Sequence, residues 1–566
     1  MNTGTNQLPY HRFFTALFSI LLIVLSFSGC GRISSVFSRS SEQETSEEEN
    51  SSESDNLEKT TFYGNMISCR LKDSRKASLV YNLPRVPKSD DSMIYLFAFE
   101  LYETCAFPEN FTREPIASTK MRTRCELKWD FEREQLFQKF VPALLRDGEY
   151  VPLSVGGCIT NPEVLADSSR VVSSPNSKKG LLLDPQMLRT PMLTDLGVKY
   201  AIYNIPLSHI VGETTNEAIP TILYEYKGEV YKFNGASING YDDLFSYLSQ
   251  AGMNSTAIIL NDWNDNCIEL IHPMARNKES GANYYAINTA EKAGCEYLEA
   301  IASFLTERYS GREHGLVSNW VIANEINQYK MWNYIETQDI EFYSSEFEKA
   351  MRIFYNAARS NYADANVYFS IDHDWNNNGG DNGKHYNAKE LVETINRIAR
   401  EKGNYDWGLA IHPYPDPLTK VDYWRDTYDK SPEAPILTIM NLCTLTEVLE
   451  RDEFLDRSGD VRSVTVTELG FSSFASEEMQ AAAFAYCYYI LDANPYVDSF
   501  IMNRQTDAAE EVKQGLAFGI YDINQSPKYI YDTFKYIDTD EAWEHTKYML
   551  EVLGADSLEE ALSWAQ

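Results

Sequence analysis

Runs of apolar residues alternate with amphipathic helical patterns over most of the chain after residue 195. The apolar runs are rich in Val and Ile, as expected of strands buried on both faces of a parallel sheet. Strands that alternate with helices in this way predict an α/β fold in which the sheet closes on itself, the (β/α)8 or TIM barrel. The predicted strands are 198–205, 255–260, 283–287, 317–323, 366–371, 407–411, 463–467 and 498–502, with helices at 290–308, 344–359, 387–401 and 475–491.

The numbering of these strands depends on two ambiguous segments. Segment 283–287, the third predicted strand, has the weakest strand pattern of the set. The apolar segment 435–440 is an alternative strand, and including it would shift the numbering of the later strands. We assign the barrel to residues 190–540 and predict a C-terminal helix, 541–566, that packs outside it.

Two glutamates stand where predicted strands end. Glu325 follows the apolar residues Val321 and Ile322, and Glu468 ends the segment that starts at Val464. The C-terminal ends of barrel strands meet at one face, which is where barrel enzymes carry their catalytic groups. Two carboxylates at that face can supply a nucleophile and a general acid. The sequence therefore predicts that Glu325 and Glu468 form a catalytic pair.

Residues 195–540 resemble the clan A retaining glycoside hydrolases in three short motifs. Asn324-Glu325 resembles the Asn-Glu pair of the acid/base at the end of strand four, and Thr467-Glu468 resembles the nucleophile motif of strand seven. His412-Pro413-Tyr414 resembles the His-x-Tyr sequence at the end of strand six. The whole chain also resembles a large family of secreted bacterial proteins, with a barrel and an N-terminal β-region, that has no settled activity.

The resemblance implies a role for each motif residue in glycosidic cleavage with retention. Glu468 would be the ionised nucleophile and Glu325 the acid, with their carboxyl groups about 5–5.5 Å apart. Asn324 would hydrogen-bond the sugar 2-hydroxyl, and His412 would contact the substrate. Tyr414 would donate a hydrogen bond to the nucleophile and fix its orientation. A carbohydrate substrate follows from these roles.

Aromatic residues on the same predicted rim are candidates for stacking against sugar rings. Trp263 follows the second predicted strand, Trp332 follows Glu325, and Trp375 follows the fifth predicted strand. Packing within the loops is the alternative for each of them. His373, between two aspartates, either contacts the substrate or serves its neighbours.

The eighth predicted strand departs from the glycoside hydrolase pattern. The superfamily often places a Trp there as the floor of the sugar site, whereas this chain continues into Asn503 and Arg504. A different floor or a different substrate follows from this departure. Arg504 indicates an acidic or heavily oxygenated glycan.

The segment that starts at Asp374 matches the opening of a calcium loop, Asp-x-Asn-x-Asn-Gly. The twelfth position, where an EF-hand carries a bidentate acid, is His385, so the segment is not an EF-hand. A structural calcium near Asp374 stays open. The histidines form no HExxH motif, and we expect neither catalytic zinc nor another cofactor.

Residues 60–185 carry short apolar or alternating runs broken by Pro, Gly and charged residues, for example at 77–81, 93–99 and 150–155. This pattern predicts a small β-rich accessory domain. No residue in it indicates chemistry, so we expect a structural sandwich that leans on the barrel. An accessory sugar-binding module is the alternative.

The first thirty residues have the pattern of a targeting signal. His11-Arg12 precedes a short apolar stretch, Phe13 to Phe27, and small residues lead directly to Cys30. This sequence resembles a bacterial lipoprotein box, which implies cleavage before Cys30 and lipidation of its thiol. Phe27 stands where Leu is typical, and a plain secretory signal is the alternative. Residues 31–59 are rich in Ser and Glu and are predicted to form a disordered tether, which places the barrel on the extracellular face of a membrane.

A formal net charge of −33 disfavours nucleic acid as a partner. Eight cysteines follow Cys30 without a CxxC spacing, so disulfides and buried free thiols both stay open. We expect a monomer. The sequence favours an enzyme because both glutamates and Asn324 are present, and a non-catalytic glycan-binding lipoprotein is the main alternative. No GxSxG motif supports a serine esterase.

Overall fold

The N-terminal region is rich in β-structure, as predicted. The computed structural model of the protein describes residues 64–167, 175–377 and 385–565. A three-stranded sheet of order β1-β2-β5 and a second sheet of order β4-β3-β6-β7, with β8 paired to β6, form this region. The strands are β1 (Asn65–Asp73), β2 (Lys76–Asn82), β3 (Met93–Phe99), β4 (Ala117–Lys120), β5 (Arg124–Asp130), β6 (Lys139–Arg146), β7 (Glu149–Pro152) and β8 (Gly157–Cys158).

Eight parallel strands then close into a barrel, which confirms the predicted fold class. Each strand pairs with its neighbours in sequence, and the last pairs with the first. The barrel strands are β9 (Lys179–Leu182), β10 (Tyr200–Pro206), β13 (Asn254–Leu260), β14 (Asn319–Ile322), β15 (Asn366–Ile371), β16 (Trp407–Ile411), β17 (Val464–Leu469) and β18 (Val497–Met502). A hairpin of β11 (Ile222–Tyr226) and β12 (Glu229–Phe233) lies in the loop after β10.

The first barrel strand, β9, was not among the predicted strands. It has only four residues and starts with Lys179 and Gly180, so it lacks the apolar run that marks the other strands. Gly180 suits this position because a Cβ there would lie 2.3 Å from Ile501 Cδ1 and 2.9 Å from the Phe500 carbonyl oxygen. The barrel therefore begins before residue 185, inside the segment assigned to the accessory domain.

The prediction of a strand at 283–287 is wrong. This segment lies in the loop after β13, where the backbone amide of Tyr285 donates to the Asn261 carbonyl and that of Ala286 donates to the Tyr334 carbonyl. Its residues are apolar because Tyr284 enters the barrel core. One missed strand and one surplus strand cancel, so Glu325 still follows the fourth strand and Glu468 still lies in the seventh.

The alternative strand at 435–440 is also wrong, because this segment leads into a 3₁₀ helix at Ile439–Asn441. The C-terminal segment forms three short helices instead of one. The helices of the chain are α1 (Pro191–Thr194), α2 (Leu207–Ile210), α3 (Gly235–Gln250), α4 (Lys292–Arg308), α5 (Tyr329–Trp332), α6 (Ile340–Asn361), α7 (Ala388–Glu401), α8 (Cys443–Leu449), α9 (Glu477–Ala493), α10 (Ala509–Val512), α11 (Ile530–Tyr536), α12 (Ala542–Thr546), α13 (Met549–Leu553) and α14 (Leu558–Ser563).

Side chains fill the interior of the barrel, as in other closed parallel barrels of this size. Large residues from most strands pack together there, and Tyr284 joins them from its loop. Trp332 packs against this cluster and is only partly buried. The buried members are Tyr200, Ile202, Ile258, Leu260, Tyr284, Val321, Tyr368, Ala410 and Ile501.

Residues 63–566 form one compact unit, and the β-rich region packs against the barrel helices within it. Asn356 of α6 donates a hydrogen bond of 2.9 Å to the Leu136 carbonyl oxygen. Arg457 forms an ion pair of 2.8 Å with Glu163. The eight cysteines after Cys30 are free thiols in the structure. In the described ranges, no helix combines the length and apolar character that crossing a membrane requires.

A buried ion pair within α6 contacts the end of α7. Glu348 and Arg352 lie 2.6 Å apart and are almost fully buried, and Lys402 adds a second cation 3.0 Å from Glu348. Arg352 also donates to the carbonyl oxygens of Gly403 and Ala399. Burial would raise the pKa of Glu348, but the two cations outweigh it and hold the pKa below its usual value. The carboxylate is therefore ionised in the folded protein.

We expect Glu348→Ala to lower the free energy of unfolding by about 3–5 kcal/mol, because Arg352 would be left buried without its partner. Urea unfolding followed by circular dichroism measures this loss. Glu341→Gln is the matched control, because Glu341 pairs with Arg397 in an exposed ion pair and such pairs contribute less than about 1 kcal/mol. Equal effects of the two substitutions would show that the buried pair does not stabilise the fold.

Candidate active site

The backbone turns sharply where the fourth barrel strand ends. Ala323 has a φ of 61° and Glu325 a φ of 38°, both in the left-handed region that residues with a side chain seldom adopt. The Glu325 backbone amide donates a hydrogen bond of 3.2 Å to Ser370 Oγ, which lies at the end of the neighbouring strand. Unfavourable backbone conformations that surrounding contacts hold in place are frequent at functional sites.

His412 connects Glu325 to the seventh strand. Its Nδ1 atom lies 2.7 Å from Glu325 Oε1, and its Nε2 atom lies 3.0 Å from Thr467 Oγ1 and 3.3 Å from Ser370 Oγ. The residue is 1% exposed. His412 was predicted to bind substrate, but protein groups occupy both of its ring nitrogens. We therefore assign it a positioning role on Glu325.

Glu468 has its own set of partners. The Tyr414 hydroxyl donates a hydrogen bond of 3.0 Å to Glu468 Oε1, as expected from the sequence. Asn503 is the first residue after the eighth strand. Its Nδ2 atom donates a hydrogen bond of 3.0 Å to the Tyr414 hydroxyl oxygen and lies 3.5 Å from Glu468 Oε1. Tyr414 and Asn503 thus fix the position of one carboxylate oxygen of Glu468.

Burial and neighbouring charges shift the pKa values of Glu325, His412 and Tyr414. Burial raises the pKa of Glu325, and the negative charges of Asp372 and Glu468 raise it further, although the hydrogen bond to His412 acts in the opposite direction. Burial alone would lower the pKa of His412, but the hydrogen bond to Glu325 and the charge of Glu468 outweigh it and raise this pKa. Burial and the charge of Glu468 hold the pKa of Tyr414 well above its usual value.

Asp372, the first residue after the fifth strand, anchors the loops on the Glu325 side. Its carboxylate accepts hydrogen bonds from Asn327, from Gln328 at 2.7 Å and from the backbone amide of Asp374 at 2.8 Å. Its negative charge raises the pKa values of both Glu325 and His412. A buried carboxylate held by three donors therefore shapes the field around the candidate acid.

Two predicted substrate contacts lie inside the protein. Trp375 is 1% exposed and donates its indole N–H to the Pro432 carbonyl oxygen, so it offers no face to a sugar and the loop-packing alternative is correct. Arg504 is buried and lies 3.0 Å from Glu511 Oε1. Its charge is therefore matched by a carboxylate of the same loop.

The other predicted contacts lie partly exposed at the end of the barrel where Glu325 and Glu468 lie. Asn324 precedes Glu325 and is partly exposed, as is His373. The indole N–H of Trp263 donates a hydrogen bond of 2.6 Å to Asp265, and the Trp263 ring packs edge-on against Tyr285. Trp332 lies beside the ring of Tyr284, with ring centroids 5.8 Å apart. The sugar-contact roles of these four residues stay predictions.

The candidate calcium loop is only partly described, because residues 378–384 lie outside the described ranges. In the described part, Asp374 accepts hydrogen bonds from Gln328 at 2.9 Å and from Asn377 at 3.1 Å. Burial and the charge of Asp372 raise the pKa of Asp374. Within the same described ranges, no group of His, Cys, Asp and Glu side chains is arranged to hold a metal ion.

Three residues of this site were not predicted from the sequence: Ser370, Asp372 and Asn503. Asp372 and Asn503 are each the first residue after a barrel strand, as His412 is. That shared position is a signal the sequence contains, since such residues gather at the catalytic face. The predicted lipidation site, Cys30, and the tether lie outside the described residues.

The chain is similar in structure to several solved glycosidases. A family 39 glycoside hydrolase from the gut symbiont Bacteroides cellulosilyticus shares 14% identity and a TM-score of 0.42, over 84% of this chain and 83% of that one. A β-glucuronidase from Bacteroides uniformis shares 10% identity and a TM-score of 0.37, over 83% of this chain and 49% of that one. A β-glucosidase from Thermotoga maritima shares 12% identity and a TM-score of 0.36, over 65% of this chain and 86% of that one. Similarity at this level does not carry an activity from those proteins to this chain.

No curated protein matches the sequence. One family model matches residues 171–561, which include the whole barrel and both glutamates. The match spans well over half of the chain. The protein therefore belongs to the family of unknown function DUF5722.

Proposed function

We propose that this protein is a glycoside hydrolase that cleaves a poly- or oligosaccharide with retention of anomeric configuration. One observation carries the proposal: Glu325 and Glu468 lie at the C-terminal ends of the fourth and seventh barrel strands, each held by its own partner on the sixth strand's end. Catalytic groups of closed parallel barrels lie at this face. Glycosidases use two carboxyl groups as their catalytic residues, and here each carboxyl group has its own hydrogen-bond partner.

In this proposal the two carboxyl groups have different catalytic roles. Glu468 accepts a hydrogen bond from Tyr414 and attacks the anomeric carbon as the carboxylate. Glu325, whose pKa is raised by burial and by neighbouring negative charge, acts as the general acid and gives its proton to the departing glycosidic oxygen. The C–O bond to the leaving group breaks as the bond to Glu468 forms. Glu325 then takes a proton from water, which attacks the anomeric carbon and releases Glu468.

The proposal is tested by incubating the purified protein with a panel of aryl glycosides and polysaccharides. We expect hydrolysis of at least one class, and proton NMR of the first-formed sugar is expected to show the anomer of the substrate. The opposite anomer would replace retention by inversion. Absence of hydrolysis across the panel, together with sugar binding, would instead favour the non-catalytic glycan-binding alternative.

We expect His412→Asn to move the alkaline limb of the kcat/KM pH profile to higher pH. The hydrogen bond and charge of His412 lower the pKa of Glu325 and so oppose the effect of burial. A neutral residue at position 412 removes that opposition, so Glu325 keeps its proton to higher pH. The measurement is kcat/KM against pH for the wild type and the variant.

Tyr414→Phe is the matched control for this profile, because Tyr414 contacts Glu468 and not Glu325. It is expected to lower kcat by about 10-fold or more through loss of one hydrogen bond to a charged group, with the alkaline limb unmoved. An alkaline limb that stays in place in His412→Asn would contradict the assigned role of His412.

We further propose that the hydrolase is exported and anchored to a bacterial membrane through Cys30. The support is the sequence alone: a short apolar segment, small residues before Cys30 and a Ser/Glu-rich tether. Metabolic labelling with a radioactive fatty acid is expected to mark the wild type and not Cys30→Ala. Equal labelling of both forms would exclude this anchor.

A further inference from the structure

We propose that the sugar cleaved at this site carries no carboxylate or sulfate, so that neutral sugars and amino sugars are the substrate class. This inference rests on the proposed glycosidase function and adds substrate charge to it. It reverses the expectation of an acidic glycan that Arg504 suggested in the sequence.

Carboxylates dominate that end of the barrel. Five of the eight barrel strands have an Asp or Glu in their last two residues or in the three residues that follow. These are Asp184, Asp262, Glu325, Asp372, Asp374 and Glu468. Arg504 is the one Arg or Lys within the same distance, and all of these positions lie in the described ranges. Burial raises the pKa values of Glu325 and Asp374, and the charge of Asp372 raises both of them further.

Arg504 does not offset this excess. Its guanidinium lies 3.0 Å from Glu511, and the two side chains are 10% and 4% exposed. Burial is the main cause of the raised pKa of Glu511, and the negative charge of Glu468 raises it further. The two carboxyl groups therefore interact electrostatically. The arginine and its partner together bring no net charge to the site. An acidic sugar would have to compete with Glu511 for the guanidinium.

Other cations of the loops that follow the strands are also paired. In the described parts of those loops, ion pairs with Asp or Glu are formed by Arg189, Lys227, Lys232, Arg276, Lys278, Lys420, Arg425, Arg504, Lys513 and Lys528. Lys330 lies over the rings of Tyr329 and Tyr334, 4.9 and 5.4 Å from their centroids. Lys430 donates to the Trp564 carbonyl oxygen.

A negative site of this kind discriminates by charge. A sugar carboxylate beside Glu468 and Asp372 is repelled, and the repulsion is strong where water is excluded. The transition state of glycosidic cleavage resembles an oxocarbenium ion, which is positive, so the same field favours the reaction of an uncharged sugar. A protonated amino group on the sugar is attracted by it. Charge therefore selects against uronic acids and sulfated sugars at the cleaved position.

The test compares two matched pairs of substrates that differ only in oxidation at C6, with one amino sugar beside them. The full-length protein is assayed with 4-nitrophenyl glucoside and glucuronide, galactoside and galacturonide, and with the glucosaminide. We expect kcat/KM for the better neutral member to exceed that of its uronide by about 100-fold or more, with the glucosaminide hydrolysed in preference to the uronide. A uronide hydrolysed as fast as its neutral partner would overturn the inference and leave the glycosidase function standing. No hydrolysis of any member, and none of any polysaccharide in the wider panel, would remove the proposed function, and the inference with it.

Glu511→Gln gives a second readout, because it removes the partner of Arg504. The ratio of neutral to uronide activity is expected to fall at least about 5-fold in this variant, as the freed guanidinium becomes available to a carboxylate. Glu510→Gln is the control, since Glu510 pairs with Lys513 in an exposed ion pair, and its ratio is expected to match the wild type. An unchanged ratio in folded Glu511→Gln would contradict the compensation of Arg504 by Glu511.

Discussion

Glu468→Gln is expected to lower kcat by roughly 10⁴-fold or more, as removal of a nucleophile does in other covalent mechanisms. The amide has almost the shape of the carboxylate but cannot form the covalent bond to the anomeric carbon. Tyr414 and Asn503 can still hydrogen-bond its oxygen, so substrate binding is expected to persist. Steady-state kinetics together with calorimetric binding of the substrate separate these two effects.

Glu478→Gln is the control for this substitution. Glu478 is exposed on α9, the helix that follows the seventh strand, and it makes the same change from carboxylate to amide. Its kcat is expected to equal that of the wild type. A Glu468→Gln enzyme that retains a tenth or more of the wild-type kcat would exclude Glu468 as the nucleophile.

Glu325→Gln is expected to have an effect that depends on the leaving group. Loss of a general acid costs about 10²–10⁴-fold with a sugar or alcohol as leaving group. A dinitrophenolate leaves without a proton, so formation of the glycosyl-enzyme from a dinitrophenyl glycoside is expected to be nearly as fast as in the wild type. The measurement is pre-steady-state release of dinitrophenolate beside the hydrolysis of a natural disaccharide.

The pH profile gives a second readout for Glu325. Its pKa is raised by burial and by the charges of Asp372 and Glu468, so the wild type keeps its general acid protonated above the usual range of a glutamate. The alkaline limb of the wild-type profile is assigned to this group, and Glu325→Gln is expected to lose that limb. A variant that loses activity equally on both leaving groups and keeps the alkaline limb would show that Glu325 is not the acid.

The barrel could be predicted from the sequence because most of its strands are continuous apolar runs. The exceptions have physical causes. Strand β9 is short and carries Lys179 and Gly180, whose fit depends on Asp538 and Ile501 from distant parts of the chain. Segment 283–287 is apolar because Tyr284 fills the barrel core from a loop. Periodicity reports burial, and it does not distinguish a buried loop from a buried strand.

The two glutamates could be predicted because each lies at the C-terminal end of an apolar strand segment. Their partners were harder to assign, since these depend on side-chain directions across neighbouring strands. His412 turns to Glu325 and Thr467 instead of the substrate side. Arg504 pairs with Glu511, seven residues later in the chain, and this pairing is part of the basis for our proposal that the cleaved sugar is not acidic. Asn503, which follows the eighth strand, donates a hydrogen bond to Tyr414, and the sequence alone did not indicate this contact.

The central claim is that Glu468 forms a covalent bond with the sugar, and trapping that intermediate tests it most directly. A 2-deoxy-2-fluoro glycosyl fluoride, with the configuration of the best substrate, slows the second step and lets the glycosyl-enzyme accumulate. Peptide mass spectrometry is expected to find one fluorosugar on the peptide that contains Glu468, and none in Glu468→Gln. A label on another residue, or full activity without any label and with inversion of the product anomer, would contradict the account.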